Sequence, residues 1–203
     1  MMLTRRSTLL GCFALPLVPS VLGEKSLPWS TRLVRAARKQ IGVTRTYDPA
    51  YVRLAYPMGD VPRDRGVCTD VIIRAYRDAF DIDLQAIIHE DMKAAFTDYP
   101  ANWGLSRPDR NIDHRRVPNL ERYFERKGLD KPFPASPSGC DAGDLYTMRY
   151  NGRLPHIGIV SDRKTRTGEP LVIHNMGWGT SEDDIIGRFG QERRFRYEPH
   201  SQI

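Results

Sequence analysis

The hydrophobic period of this chain changes once, at Gly143. Ahead of that residue apolar side chains recur every three or four positions; beyond it they alternate. In GVCTDVIIRAYRDAF (66–80), Val71, Ile72, Ala75, Tyr76, Ala79 and Phe80 fall on one face of a helix headed by Cys68. Ser30 is placed to cap an earlier helix bearing Leu33, Ala37 and Ile41, which Gly42 would end. A loop rich in Tyr, Asp and Pro follows, from Val43 to Arg65. Met92, Ala95, Phe96 and Tyr99 predict a short helix over 91–99. Pro118 suits the start, and Gly128 the stop, of a helix carrying Leu120, Tyr123 and Phe124. In DLYTMRY, Tyr146, Met148 and Tyr150 alternate with Leu145, Thr147 and Arg149. In HIGIVSD, His156, Gly158 and Val160 share one face, and Ile157 and Ile159 the other. SDRKTRTGEP reads as a hairpin connection, after which LVIHNMG puts Val172 and His174 on one side. A last strand is expected to include Phe195 and Tyr197. N-terminal helices followed by a small antiparallel sheet specify an α+β fold, expected as one domain over 24–203.

The first 23 residues read as a separate element. Arg5 and Arg6 precede an uncharged, mostly apolar run that ends in small residues near Gly23, the layout of a secretory signal peptide. Thr4-Arg5-Arg6-Ser7 with Leu9 has the look of a bacterial twin-arginine signal. Leu-Leu-Gly-Cys at 9–12 offers a lipoprotein reading as the lesser alternative. The apolar run is short for a membrane span, and Pro16 and Pro19 interrupt it. The expected location is therefore the periplasm or the medium, with no transmembrane span after signal removal. Loss of Arg5 and Arg6 takes the formal charge from +6 to +4. That modest excess suits an anionic envelope, and no basic run is dense enough for nucleic acid.

Two cysteines remain after removal of the signal, Cys68 and Cys140. A disulfide between them is one reading for an oxidising compartment. The other is a free thiol retained for chemistry. A cysteine attacks as its thiolate, which a helix N-terminus and a neighbouring imidazolium both favour. Cys68 has the first by position. His156 is the candidate base, and His174, one strand away, the candidate for holding its ring and tautomer. The same three residues are chemically able to bind zinc, but no short ligand spacing supports it; neither metal nor cofactor is expected.

The motifs Val67-Cys68-Thr69-Asp70, Gly143-Asp144-Leu145, His156-Ile157-Gly158-Ile159 and Ile173-His174 resemble, in type and order, those of the NlpC-type cell-wall cysteine peptidases of the papain-like clan. YDPAYVRLAYPMGDVP, RGVCTDVIIRAYR, NIDHRRVPNL and HIGIVSD resemble more closely a bacterial family known as domain of unknown function 1287, grouped with that clan. The closer likeness covers nearly all of the chain beyond the signal, the NlpC-type likeness only the short motifs. It implies a papain-like core, with Cys68 as nucleophile, His156 as base and His174 as its orienter. It also implies peptidoglycan or another peptide as substrate. Two departures stand out. Thr69-Asp70 replaces the Ser-Gly usual after the cysteine, and the relatives' Tyr-x-Trp-Gly-Gly is absent. Tyr47 is the candidate equivalent of its tyrosine, and Tyr56 the rival.

Other candidates come from the residues alone. Asp70 complements the helix dipole, worth about 0.3–1 kcal/mol, yet its charge opposes a nearby thiolate unless it points away. Arg115 and Arg116, in Asp113-His114-Arg115-Arg116, are candidates to hold a substrate carboxylate, against the plainer reading of a surface ion-pair network. His89-Glu90-Asp91 is a second charged cluster of the same kind. Of Trp103 and Trp178, the latter is favoured for the cleft, because it lies in glycine-flanked NMGWGT just after His174. Cys140 reads as a passive turn residue. The resulting expectation is a secreted cysteine hydrolase that cleaves an amide bond, with a silent binding module or an acyltransferase as alternatives.

Overall fold

The computed structural model describes residues 26–199; the proposed signal peptide lies outside them. The chain combines helices with two sheets. Five named elements build the helical side and its small sheet: α1 (Trp29–Arg38), β1 (Thr46–Tyr47), β2 (Arg65–Gly66), α2 (Cys68–Phe80) and α3 (Leu84–Ala94). After α4 (Val117–Arg126) the chain is mostly strand: β3 (Asp130–Lys131), β4 (Leu145–Tyr150), β5 (Leu154–Lys164), β6 (Pro170–Asn175), β7 (Thr180–Asp183) and β8 (Gly190–Phe195). The large sheet is antiparallel in the order β3-β8-β4-β5-β6-β7, while β1 and β2 form a small parallel pair.

The alternation beyond Gly143 sorts side chains onto two faces of the large sheet. Leu145, Ile157, Ile159, Ile173 and Phe195 pack with Leu33, Val71, Ile72, Leu120 and Phe124 from the helices. Tyr146, Met148, Val160 and Val172 pack on the other face with Cys140, Ile185 and Ile186. Cys68 to Tyr76 are all buried, so α2 is the central helix. Each fully buried Val, Leu or Ile contributes about 1.5–3 kcal/mol to this packing.

Four boundaries differ from the sequence expectation; in the first, α1 ends at Arg38 rather than at Gly42, so Ile41 lies beyond it and is exposed instead of sharing the buried face. Pro28, not Ser30, caps α1, because its fixed backbone suits the entry and Ser30 lies inside the first turn. The helix expected over 91–99 begins at Leu84, where the Asp83 carboxylate accepts the Gln85 N–H at 3.0 Å. It gives way to a 3-10 turn over Phe96–Asp98. The last strand ends at Phe195, and Tyr197 lies beyond it, its carbonyl accepting the Tyr76 hydroxyl at 2.7 Å. Pro118 and Gly128 bracket α4 as expected.

Candidate functional site

Cys68 opens α2, with Val67 as an extended N-cap. The Val67 N–H donates to Asp70 Oδ2 at 2.7 Å, so the Asp70 side chain folds back over the helix start. Arg115 meets the same carboxylate as a fork, Nε to Oδ1 and Nη2 to Oδ2, both at 3.0 Å. Its remaining donors reach the carbonyls of Ala50 at 3.2 Å and Asp48 at 3.1 Å. Both side chains are buried. This pair therefore closes the loop onto α2 rather than presenting free donors to a substrate carboxylate. The departure Thr69-Asp70 thus has a structural partner, which the sequence did not reveal because 45 positions separate Asp70 from Arg115.

A second buried arginine fixes the loop that carries Tyr47. Arg74, fully buried on α2, holds Asp60 at 3.0 Å, the Thr44 hydroxyl at 3.0 Å and the carbonyls of Val61 and Arg65 at 3.1 and 2.9 Å. With the loop so anchored, Tyr47 pairs in register with Gly66, two residues before Cys68. Its hydroxyl neighbours the Cys68 thiol; burial first, then the charges of Cys68 and Asp70, push it up to about 12. Tyr56, the rival, donates instead to Glu90 at 2.9 Å.

β5 runs past the start of α2. The backbone amides of Ile157, Thr69 and Cys68 lie on the sulfur side and favour its anion, and Pro155 lines the same cleft. Burial nevertheless dominates. It pushes the thiol up to about 11, with the Asp70 charge adding to the shift against the three amides. Cys68 thus rests as a neutral thiol at neutral pH, not as the thiolate expected from its place at a helix start. Cys68 and Cys140 are both free, so the disulfide reading does not hold.

His156 and His174 are brought together across β5 and β6. His156 Nε2 lies 3.0 Å from His174 Nδ1, and the rings stand nearly perpendicular at 86°. Gly158 makes room for this. A Cβ there would fall 2.4 Å from Val172 Cγ1 and 3.0 Å from His174 Cβ. Burial lowers both imidazoles, His156 to about 3 with the neighbouring His174 adding to the shift. Behind them stands Asp183, which the sequence did not single out. Its Oδ2 is 3.2 Å from His174 Nε2, close but off the line of a hydrogen bond, and it accepts the Ser181 hydroxyl at 2.5 Å. The only sequence signal for it is the alternation of Ser181 and Asp183, which becomes meaningful once β7 pairs with β6.

The cleft at Cys68 has a volume of about 250 Å3 and is lined by Tyr47, Trp103, Arg115, Arg116 and Pro155, among others. Trp103 rather than Trp178 forms its aromatic wall. Trp178 is 75% exposed at the β6–β7 turn. The Arg116 guanidinium stacks over the Trp103 ring, 4.0 Å from its centroid. Asp113, His114 and Arg115 are buried, so this charged cluster is an interior 3-10 turn and not a surface network. Among the described residues, no group of three or more His, Cys, Asp or Glu side chains could hold a metal ion, and no helix is long and apolar enough to cross a membrane.

The uncharacterized protein YijF of Escherichia coli (strain K12) is 48% identical to this chain over 182 residues, covering 90% of this chain and 88% of its own length. A solved N-acetylmuramoyl-L-alanine amidase from Bacteroides uniformis aligns with 84% of this chain and 99% of its own, with 14% identity and a TM-score of 0.41. That likeness is too distant to assign a fold or an activity. Residues 34–197 match the domain of unknown function DUF1287, and the chain belongs to that family.

Proposed function

We propose that this protein is an envelope cysteine hydrolase with a papain-like core, cleaving an amide bond in peptidoglycan stem peptides as an endopeptidase or amidase. The observation that carries the reading is the buried imidazole pair across β5 and β6, with the amide next to His156, that of Ile157, favouring the Cys68 anion.

The tautomers follow from the acceptors. Asp183 favours a proton on His174 Nε2, which leaves Nδ1 with a lone pair for the Nε2–H of His156. The lone pair of His156 Nδ1 is then available as the base. Both partners rest neutral, so the thiol proton moves to His156 as sulfur attacks the carbonyl carbon, without a preformed ion pair. The imidazolium that forms is balanced by the oxyanion and, through His174, by Asp183. The Cys68 N–H and the Tyr47 hydroxyl are the candidate oxyanion donors. His156 then gives its proton to the leaving amine, and water releases the acyl group from sulfur.

The first test compares purified wild type with Cys68→Ala on isolated cell walls and defined muropeptides. Release of fragments by wild type alone supports the reading; equal release from every muropeptide sinks it. A second reading, a binding module without turnover, is favoured by the raised thiol. It predicts retention of labelled muropeptides by wild type with no products in the mass spectrum.

A further inference from the structure

Of the two arginines that the sequence offered for a substrate carboxylate, one is spent. Arg115 gives its Nε–Nη2 edge to Asp70 and its remaining donors to backbone carbonyls. Arg116, next along the chain, is held differently. It lines the Cys68 cleft, and one flat face of its guanidinium lies over the Trp103 ring. Its Nη1, sealed from solvent, pairs with the buried Asp113 carboxylate at 3.5 Å. The Nε–Nη2 edge makes no hydrogen bond to any described residue, and neither of its nitrogens is sealed from solvent. This is the edge with which Arg115 grips Asp70, two parallel donors spaced for one carboxylate. Trp103 and Asp113 fix the plane in which it lies, so little side-chain freedom is lost when it binds. The charge of the cleft agrees. No Asp or Glu lines its wall, and the other cation there, Arg115, is neutralised by Asp70. Asp113 offsets part of the Arg116 charge, but from the buried side and through Nη1.

We propose that the Nε–Nη2 edge of Arg116 is the anion subsite of the Cys68 cleft, holding a free carboxylate of the bound peptide, so that the substrate is an acidic peptide. The assignment rests on the reading of the cleft as the substrate site. Two sources supply such a group, an acidic side chain and a chain terminus, and the test separates them. A carboxamide in the same place offers one acceptor to two donors and brings no charge. An ammonium group is repelled.

The test measures binding, so it is independent of turnover. Cys68→Ala protein, labelled with 15N at its indoles, is titrated with four N-acetyl-alanyl probes in L and D forms. Glutamate amide carries only a side-chain carboxylate and glutamine acid only a terminal one; glutamine amide carries neither, and lysine amide a cation. Trp103→Phe identifies the Trp103 signal. A carboxylate probe is expected to shift that signal and to bind roughly tenfold or more tightly than glutamine amide, the size of one charge-assisted hydrogen bond. Which of the two carboxylate probes does so names the source. Arg116→Met, added to the Cys68→Ala background, is expected to bring that probe down to the neutral one while the neutral probe binds as before. Arg116→Lys, which keeps the charge without the fork, is expected to retain part of the preference. Equal affinities of all four probes for Cys68→Ala protein, no shift at Trp103, or a preference that survives Arg116→Met would overturn the subsite; the first two outcomes do not depend on how the Arg116 variants fold. Failure of wild type to digest cell wall would overturn the hydrolase reading while leaving this binding result in place.

Discussion

His156 and His174 touch through Nε2 and Nδ1 at 3.0 Å, and beside them Gly158 lets β6 lie close to β5, where a Cβ would fall 2.4 Å from Val172 Cγ1 and 3.0 Å from His174 Cβ. Gly158→Ala is therefore expected to push β5 and β6 apart at the imidazole pair. The cost of such overpacking is about 1–3 kcal/mol. Cell-wall digestion should fall far more than stability does. A variant with wild-type digestion would show that the imidazole contact is not needed.

In the proposed mechanism Asp183 sets the tautomer of the pair from outside, its carboxylate 3.2 Å from His174 Nε2 favouring a proton there. In Asp183→Asn the amide can donate to His174 Nε2, which moves the His174 proton to Nδ1 and the His156 proton to Nδ1, removing the base. The rate of wall digestion should drop at least tenfold, within the 10^2–10^4 that a positioned base contributes. Asp183→Glu should restore part of it. The pH profile of digestion in the asparagine variant should be displaced, whereas a purely structural role for Asp183 would lower the rate at every pH alike.

Asp70 and Arg115 form a buried ion pair at 3.0 Å. Asp70→Asn leaves the guanidinium uncompensated, a loss of about 3–5 kcal/mol. Urea denaturation checks it, and the double variant Asp70→Asn/Arg115→Met should be less destabilised than the sum of the two single ones. Simple additivity would mean that the two side chains act separately.

Acid should destabilise the fold in a defined window. His156 and His114 titrate near 6.5 when unfolded but are lowered to about 3 by burial in the native state. The unfolded chain therefore binds more protons between those values, and stability falls as pH drops from about 6.5 towards 3. At pH 5 the penalty is about 2 kcal/mol for each histidine. Asp113 works the other way. Burial raises it to about 6, so its protonation on acidification returns part of the loss. The urea midpoint at pH 5 should lie below that at pH 7, and the gap should narrow in His156→Gln. An unchanged gap would mean that His156 is charged in the native protein.

The resting thiol is expected to alkylate slowly. With Cys68 raised to about 11, iodoacetamide at pH 7 should modify it more slowly than free cysteine, and the rate should climb well past pH 8.5. A plateau reached below pH 8 would instead establish a preformed thiolate, and the concerted proton transfer would be abandoned.

Residues close along the chain were enough to read whatever depends on local neighbours. The period of three to four put Cys68 at the head of a buried helix, and the period of two placed His156, Gly158 and Val160 on one face, because each pattern reports a local geometry. Pro118 and Gly128 marked α4 for the same reason. What lies between distant segments was not legible. Nothing within a few residues of Asp70 announces Arg115, nothing near Arg116 announces Trp103, and Asp183 reaches His174 only after β7 has paired. The state of the thiol also belongs to the tertiary structure. Position at a helix start argues for a thiolate, but desolvation by the surrounding core decides for the neutral form, and desolvation is a property of the packed fold rather than of any motif.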